Sequence, residues 1–418
     1  MKNQFEKLKA ISNEFPRTFK IIVVTTFIDR LGGSMLFPFF ALYITKRFNV
    51  GMSDVGWLFL IFSITSFIGS FMGGALTDRF GRRKMIIFSL VASSLSTAAM
   101  GLVDTLEGFY IIGVVSGLFT DVGGPAQQAI MADILPEEKR AQGFGIIRVT
   151  FNLAVVFGPI IGGLVAARSY TALFLMDAVI SIISAAIVYL NIPETKPAPQ
   201  PHEEPETFGQ TFIGYGRVMR DAVFMLFIFA GMLSGLVYMN MNTTLGVFLR
   251  DNYGVPEDRY AYILSINAAM VVLFQFWITR RIEKLPPMLV MAAGTALYAV
   301  GFAMYGFVGN YGMFILAMVV ITIGEMLVAP VGQALVVSFA PEQMRGRYSA
   351  VFGILAWGIP FAVGPLLAGQ IIDNLDSNWL WYACGIVGTL SVLGYIILHR
   401  VHPAKELMEA PSGVPSAA

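Results

Sequence analysis

The chain has 418 residues, of which 56% are hydrophobic and 13% charged. Its mean hydropathy is +0.70, whereas a soluble domain carries about 25% charged residues, so the composition excludes a soluble globular protein. The formal net charge of +1 gives no electrostatic footprint for nucleic acid. The apolar runs are about 18–25 residues long, the length of a membrane-crossing helix rather than of an outer-membrane strand.

Twelve helices are predicted, at roughly 18–43, 54–77, 84–103, 107–132, 141–166, 171–192, 222–249, 258–279, 288–308, 311–337, 347–371 and 379–399. Ahead of them, Phe5, Leu8, Ile11, Phe15 and Phe19 recur at helical spacing among lysines. That pattern predicts an interfacial amphipathic segment over 1–17. With that end inside, cytoplasmic segments hold 21 of the 28 Lys and Arg, outer loops hold five, and Arg30 and Arg148 lie within helices. Both termini are therefore expected in the cytoplasm. The N-terminus shows no cleavable leader pattern. Pro193, Pro197, Pro199, Pro201 and Pro205 stand among acids and lysines, a solvated linker over 193–221. It separates an N-terminal half, 18–192, from a C-terminal half, 222–400, with a tail over 401–418.

The halves repeat. Pro125-Ala126-Gln127-Gln128-Ala129 matches Pro330-Val331-Gly332-Gln333-Ala334, and Pro136-Glu137 and Arg140 match Pro341-Glu342 and Arg345 at the same offset. Gly158-Pro159 matches Gly364-Pro365 one residue further on. Such an offset predicts two parallel six-helix repeats, able to rock about a midplane site. The fold class is thus all-α, twelve transmembrane helices.

The loop after the second helix reads Gly74-Ala75-Leu76-Thr77-Asp78-Arg79-Phe80-Gly81-Arg82-Arg83-Lys84. Gly73 and Gly74 are expected to admit a neighbouring helix. Asp78 can accept from a helix N-terminus or an arginine, Gly81 permits a tight turn, and Arg79, Arg82 and Arg83 suit the inner leaflet. Here the chain resembles the major facilitator superfamily, whose signature loop has this G-x-L-x-D-R-x-G-R-R form. The resemblance implies that the loop latches the cytoplasmic side. Its counterpart in the second half, Thr279–Lys284, is degenerate. In the fifth helix, Gly145, Ala154, Gly158, Pro159, Gly162 and Gly163 resemble the motif of the drug:proton antiporter branch, with Ala154 where that pattern has glycine. Pro159 removes a backbone donor and small neighbours keep close packing possible.

Ionisable residues inside a membrane usually face a cavity or a partner. Glu325, mid-way along the tenth helix, has no basic residue within two turns of its own helix. Desolvation penalises the charged form of such a carboxyl, which suits a group that takes a proton on one side and releases it on the other. It resembles the glutamate of the Gly-Glu segment in proton-driven multidrug antiporters. Asp29 and Asp121 are further proton-coupling candidates, and Asp29 fits a structural ion pair equally well. Asp29 and Arg30 are adjacent, about 100° apart on a helix, so they are expected to face different partners. Arg148 can pair with Asp121 or with Asp29, and the sequence does not choose. Arg148 with Asn152 looks like the R-x3-N pattern that precedes the Gly-Pro motif. Arg30 and Arg148 are assigned structural or gating roles. Asp177 reads as a hydrogen-bonded structural acid. Asn240, Asn242, Gln333, Tyr238, Gln127 and Trp357 are the expected substrate-cavity residues.

Cys384 is the only cysteine, and the three histidines, His202, His399 and His402, are scattered, so no disulfide or metal cluster is expected. There is no phosphate loop or extramembrane domain for an enzyme or an ATP-driven pump, and no cofactor is implied. The reading is a secondary active transporter of the inner membrane, a monomer whose partners are protons, a small molecule and the bilayer. A proton-coupled exporter of amphipathic compounds is the first expectation. A metabolite symporter and a lipid translocator of the same fold are the alternatives.

Overall fold

The computed structural model describes residues 15–196, 215–341 and 344–401. The interfacial segment before Phe15, most of the proline-rich linker, Glu342, His202, His402 and the C-terminal tail lie outside these residues. Among the described residues, twelve helices are long and apolar enough to cross a membrane. They are α1 (Arg17–Phe48), α2 (Met52–Phe80), α3 (Arg82–Leu102), α4 (Leu106–Ile134), α5 (Gln142–Ala166), α6 (Tyr170–Asn191), α7 (Ala222–Thr243), α8 (Glu257–Ile282), α9 (Pro287–Met304), α10 (Tyr311–Phe339), α11 (Arg345–Asn374) and α12 (Asn378–Val401).

Polar caps set several starts. Thr105, Ser169, Asp221 and Asn310 each accept from a backbone N–H in the first turn of α4, α6, α7 and α10, which satisfies a donor that the helix itself leaves open. Four helices depart from the expected regular spans. Around Pro38, α1 tightens to a 3₁₀ turn at Phe37–Phe39 and then runs on to Phe48. Helix α4 breaks at Asp121–Val122, just before Gly123-Gly124-Pro125, because Pro125 has no N–H to bond the carbonyl four residues back, that of Asp121. Helix α7 stops at Thr243, and a separate helix covers Leu245–Tyr253. There Asn240 Nδ2 donates to the Leu236 carbonyl and Thr243 Oγ1 to the Met239 carbonyl, both at 2.9 Å. Such back-bonding competes with the helix ladder. In α11, Gly353–Gly358 widens into a π-helical turn ahead of Pro360, which cannot donate to the ladder.

The chain forms two compact units. The first comprises the described parts of Met1–His202 together with Leu245–Ala268, and the second comprises those of Glu203–Thr244 and Ala269–Ala418. In the first, α1 packs on α5 and α6, α3 on α4 and α6, and α2 on α4. In the second, α7 packs on α11 and α12, and α9 on α10 and α12. Shifting every helix number by six maps most of these pairings onto one another, as parallel repeats require. Each core is aromatic. Tyr43 and Phe174 pack with ring centres 4.6 Å apart, and the Tyr43 hydroxyl donates to the Met100 carbonyl at 3.1 Å. Trp381 stacks on Phe302 at 6.4 Å in the second unit. Phe67, Phe71, Leu95, Leu190, Trp277 and Phe307 are exposed, the surface that acyl chains cover on a membrane helix.

Candidate functional site

The signature loop is held from three directions. Gly81 ends α2 at φ +101°, a conformation glycine adopts without strain, and a Cβ there would overlap the Glu194 carboxylate. Glu194 Oε1 accepts from the Arg82 backbone N–H at 2.8 Å and from Thr195 and Lys196 N–H at 3.1 Å. A carboxylate thus sits at the N-terminus of α3, where the helix dipole favours it. Arg82 Nε donates to Asp133 Oδ2 at 3.2 Å, Thr195 Oγ1 donates to the same oxygen at 2.8 Å, and Lys196 Nζ donates to the Arg79 carbonyl at 3.0 Å. Arg83 donates to the Tyr189 carbonyl and lies over the Tyr189 ring. Asp78 reaches Arg82 at 3.5 Å, but its side chain is 78% exposed, against 23% for Asp133. The better-buried partner of Arg82 is therefore Asp133. Asp133, Glu194, Thr195 and Lys196 were not anticipated. The one available sign was an acid immediately after each apolar run, at the ends of α4 and α6. Gly73 meets the Val122 backbone as expected, whereas a side chain at Gly74 would meet open space.

The motif glycines of α5 touch α1 directly. A Cβ on Gly158 would overlap Ser34 and the Met35 backbone, and one on Gly162 the Met35 carbonyl. Gly163 faces Ala261, and the helix runs through Pro159.

Within the first unit, α1, α3, α4 and α6 enclose a cavity of about 210 Å³. Asp29, Arg30, Asp121, Gln127 and Asp177 line it, with hydroxyls from Thr25, Thr26, Ser89, Ser93, Thr120 and Ser181. Gln127 Nε2 donates to Thr26 Oγ1 at 2.8 Å. Ser181 stands beside Asp29, and Thr97 beside Asp177. Asp29 and Arg30 face different helices: Asp29 stands beside Ser181 of α6, and Arg30 lies over Phe151 of α5. The Arg30 charge acts on Asp29 and on Asp121 of α4. Its guanidinium also lies 4.6 Å from the Phe151 ring centre. Both expected pairings of Arg148 are corrected. Arg148 is exposed, lies outside this cavity and makes no ion pair among the described residues; the guanidinium that lines the cavity is that of Arg30.

The second unit holds the other carboxyl. Tyr238 Oη donates to Glu325 Oε1 at 2.9 Å. The Tyr238 ring packs 5.4 Å from Tyr298 and edge-on to Trp357 at 6.0 Å. These rings line a narrow pocket with Gln333, Tyr395 and Met291. Tyr238, Trp357 and Gln333 thus line one pocket, which Tyr238 joins to Glu325, while Gln127 belongs to the cavity of the first unit. Asn240 and Asn242 line neither space. Asn240 is 4% exposed, and its amide bonds its own helix and sits 3.6 Å from Cys384 Sγ. Its donor group is thus satisfied locally and faces α12, while its Oδ1 is buried with no hydrogen-bond partner. No group of three or more metal-ligating side chains occurs among the described residues.

The sequence matches the Major Facilitator Superfamily profile over residues 22–362 and again over 227–414. The chain belongs to the major facilitator superfamily. It is a multi-pass membrane transporter of that fold. Among relatives of this superfamily member, a Planococcus maritimus protein named Na(+), Li(+), K(+)/H(+) antiporter is 27% identical, over 93% of this chain and 97% of its own length. Multidrug resistance protein 2 of Bacillus subtilis (strain 168) is 26% identical, over 72% of this chain and 76% of its own. The crystal structure of a POT family transporter in complex with 5-aminolevulinic acid aligns with a TM-score of 0.75 at 16% identity. The alignment covers 92% of this chain and 96% of that one, a likeness of fold.

Proposed function

We propose that this transporter is a proton-coupled exporter of amphipathic small molecules, working by alternating access as a single chain. It lies in the inner membrane with both termini in the cytoplasm, and it moves its substrate without covalent chemistry. The observation that carries the reading is the hydrogen bond from Tyr238 to Glu325 at the edge of an aromatic-walled pocket. A membrane-embedded carboxyl is a functional group by default. A tyrosine hydroxyl can donate to the carboxylate and accept from the carboxylic acid, so it accommodates both states of a carrier of protons. Aromatic faces beside that carboxyl suit a flat, lipophilic cation. Proton and substrate then favour different states, which is the thermodynamic requirement for exchange. Asp78, Arg79, Arg82 and Arg83 latch the cytoplasmic end, held by Asp133 and Glu194.

A second reading, exchange of protons for monovalent metal cations, is favoured by the three acids in the first unit's cavity and by the name of the Planococcus relative.

The test is substrate-driven proton movement in proteoliposomes, with lipophilic cations, Na⁺ and K⁺ offered against an imposed pH gradient. Opposed movement of a lipophilic cation and protons, lost in Glu325→Gln with binding retained, is the expected result. Coupling to Na⁺ or K⁺ alone supports the second reading. Normal coupling in Glu325→Gln removes the glutamate from the mechanism.

A further inference from the structure

Two acids meet between α1 and α6. Asp177 is 6% exposed, and its Oδ1 rests where a Cβ on Gly32 would stand. Gly32 lies one turn beyond Asp29, so the absence of a side chain there brings the Asp177 carboxyl against the turn that carries Asp29. Ser181, one turn beyond Asp177, lines the same cavity as Asp29 and stands beside it. The face Asp29/Gly32 thus meets the face Asp177/Ser181, and Thr97 of α3 stands beside Asp177. Both acids open into the 210 Å³ cavity.

The charges there do not balance. The lining contains Asp29, Asp121 and Asp177 against Arg30 alone. Helix α3 contributes only hydroxyls and apolar groups to the lining, and the Phe151 ring of α5 lies under Arg30. Arg148 lies outside. Three ionised carboxyls beside one guanidinium leave two uncompensated negative charges inside a membrane domain, which is strongly unfavourable.

We propose that Asp29 and Asp177 share one proton, and that Asp177 is a positioning residue that sets the pH at which Asp29 exchanges it. The inference rests on the proton-coupled reading above. It adds a carboxyl of α6 to that reading and places a carrier site inside the first unit. The two carboxyls hold one proton between them, and its release leaves both ionised. Like charges at close range disfavour joint ionisation, and the pair titrates as a unit.

The experiment is an infrared titration of the carboxyl C=O band in purified protein, with transport measured in parallel. In wild type one proton is expected to titrate from the pair. Asp177→Asn removes the repelling charge, so the midpoint falls by about one pH unit, a tenfold change in proton affinity. Asp177→Glu restores it. Gly32→Ala displaces the Asp177 carboxyl, whose side-chain end can swing away, and lowers the midpoint in the same direction with all charges retained. The pH optimum of transport follows the same shifts, with the substrate KM unchanged. Infrared midpoints that coincide in wild type, Asp177→Asn and Gly32→Ala overturn the shared proton. A wild type that moves no protons with any substrate refutes the proposed function instead, and the infrared midpoints still decide the pair.

Discussion

Replacing Asp133 by alanine removes the partner of a guanidinium that is only 11% exposed. At the observed 3.2 Å the Coulomb attraction is ~5 kcal/mol for an effective dielectric of 20, before desolvation. Breaking a fully buried pair costs about 3–5 kcal/mol and an exposed one about 0–1 kcal/mol. Asp133, 23% exposed, falls between these limits, at about 2–3 kcal/mol. The Thr195 hydroxyl loses its acceptor as well, worth about 1 kcal/mol. The total for Asp133→Ala is therefore roughly 3 kcal/mol. Asp78→Ala removes a 3.5 Å contact from a side chain 78% exposed, for at most about 1 kcal/mol. Equilibrium unfolding of the purified protein in mixed micelles measures both. A double-mutant cycle of Asp133→Ala with Arg82→Ala should return a coupling of about 2 kcal/mol. Equal destabilisation by the two aspartate variants, or a coupling near zero, refutes the view that Asp133 anchors the loop.

Two further outcomes are expected. Gly162→Leu should prevent recovery of folded protein, because its side chain would enter the Met35 backbone, whereas Gly145→Ala, facing open space, should leave yield and monodispersity in size-exclusion chromatography unchanged. Arg148→Ala should change stability by less than about 0.5 kcal/mol, the range of surface substitutions without a special role, and a larger loss in the same unfolding assay would show that an ion pair forms.

The span count and the repeat were legible because hydropathy and helix length are local properties of the chain. So was the signature loop, whose glycine and charges stand within a dozen residues. The anchors of that loop were not. Asp133 and Glu194 come from segments more than fifty and a hundred residues further on, and neither carries a local pattern. Asn240 lies away from the pocket: polarity in an apolar run reports a need for partners without saying which, and helix carbonyls take its amide donor while its Oδ1 stays unpartnered. The break in α4 has a local sign in Gly123-Gly124-Pro125, which the long apolar run around it outweighs in a count of spans. The joining of Asp29 to Asp177 needed Gly32 to be seen as space rather than as flexibility.

The segment Leu245–Ala268 follows the proline-rich linker in the chain yet packs within the first unit. Its Glu257 accepts from Lys46 at 3.0 Å and from Tyr170 at 2.9 Å, while Arg250 donates to the Leu42 carbonyl at 3.1 Å. A chimera that joins the first six helices of this protein to the last six of a relative would therefore import a foreign piece into the native unit. Grafts that leave residues 245–268 with their own Lys46 and Tyr170 respect the packing, and the natural seams for recombination flank that segment instead of lying at the linker alone.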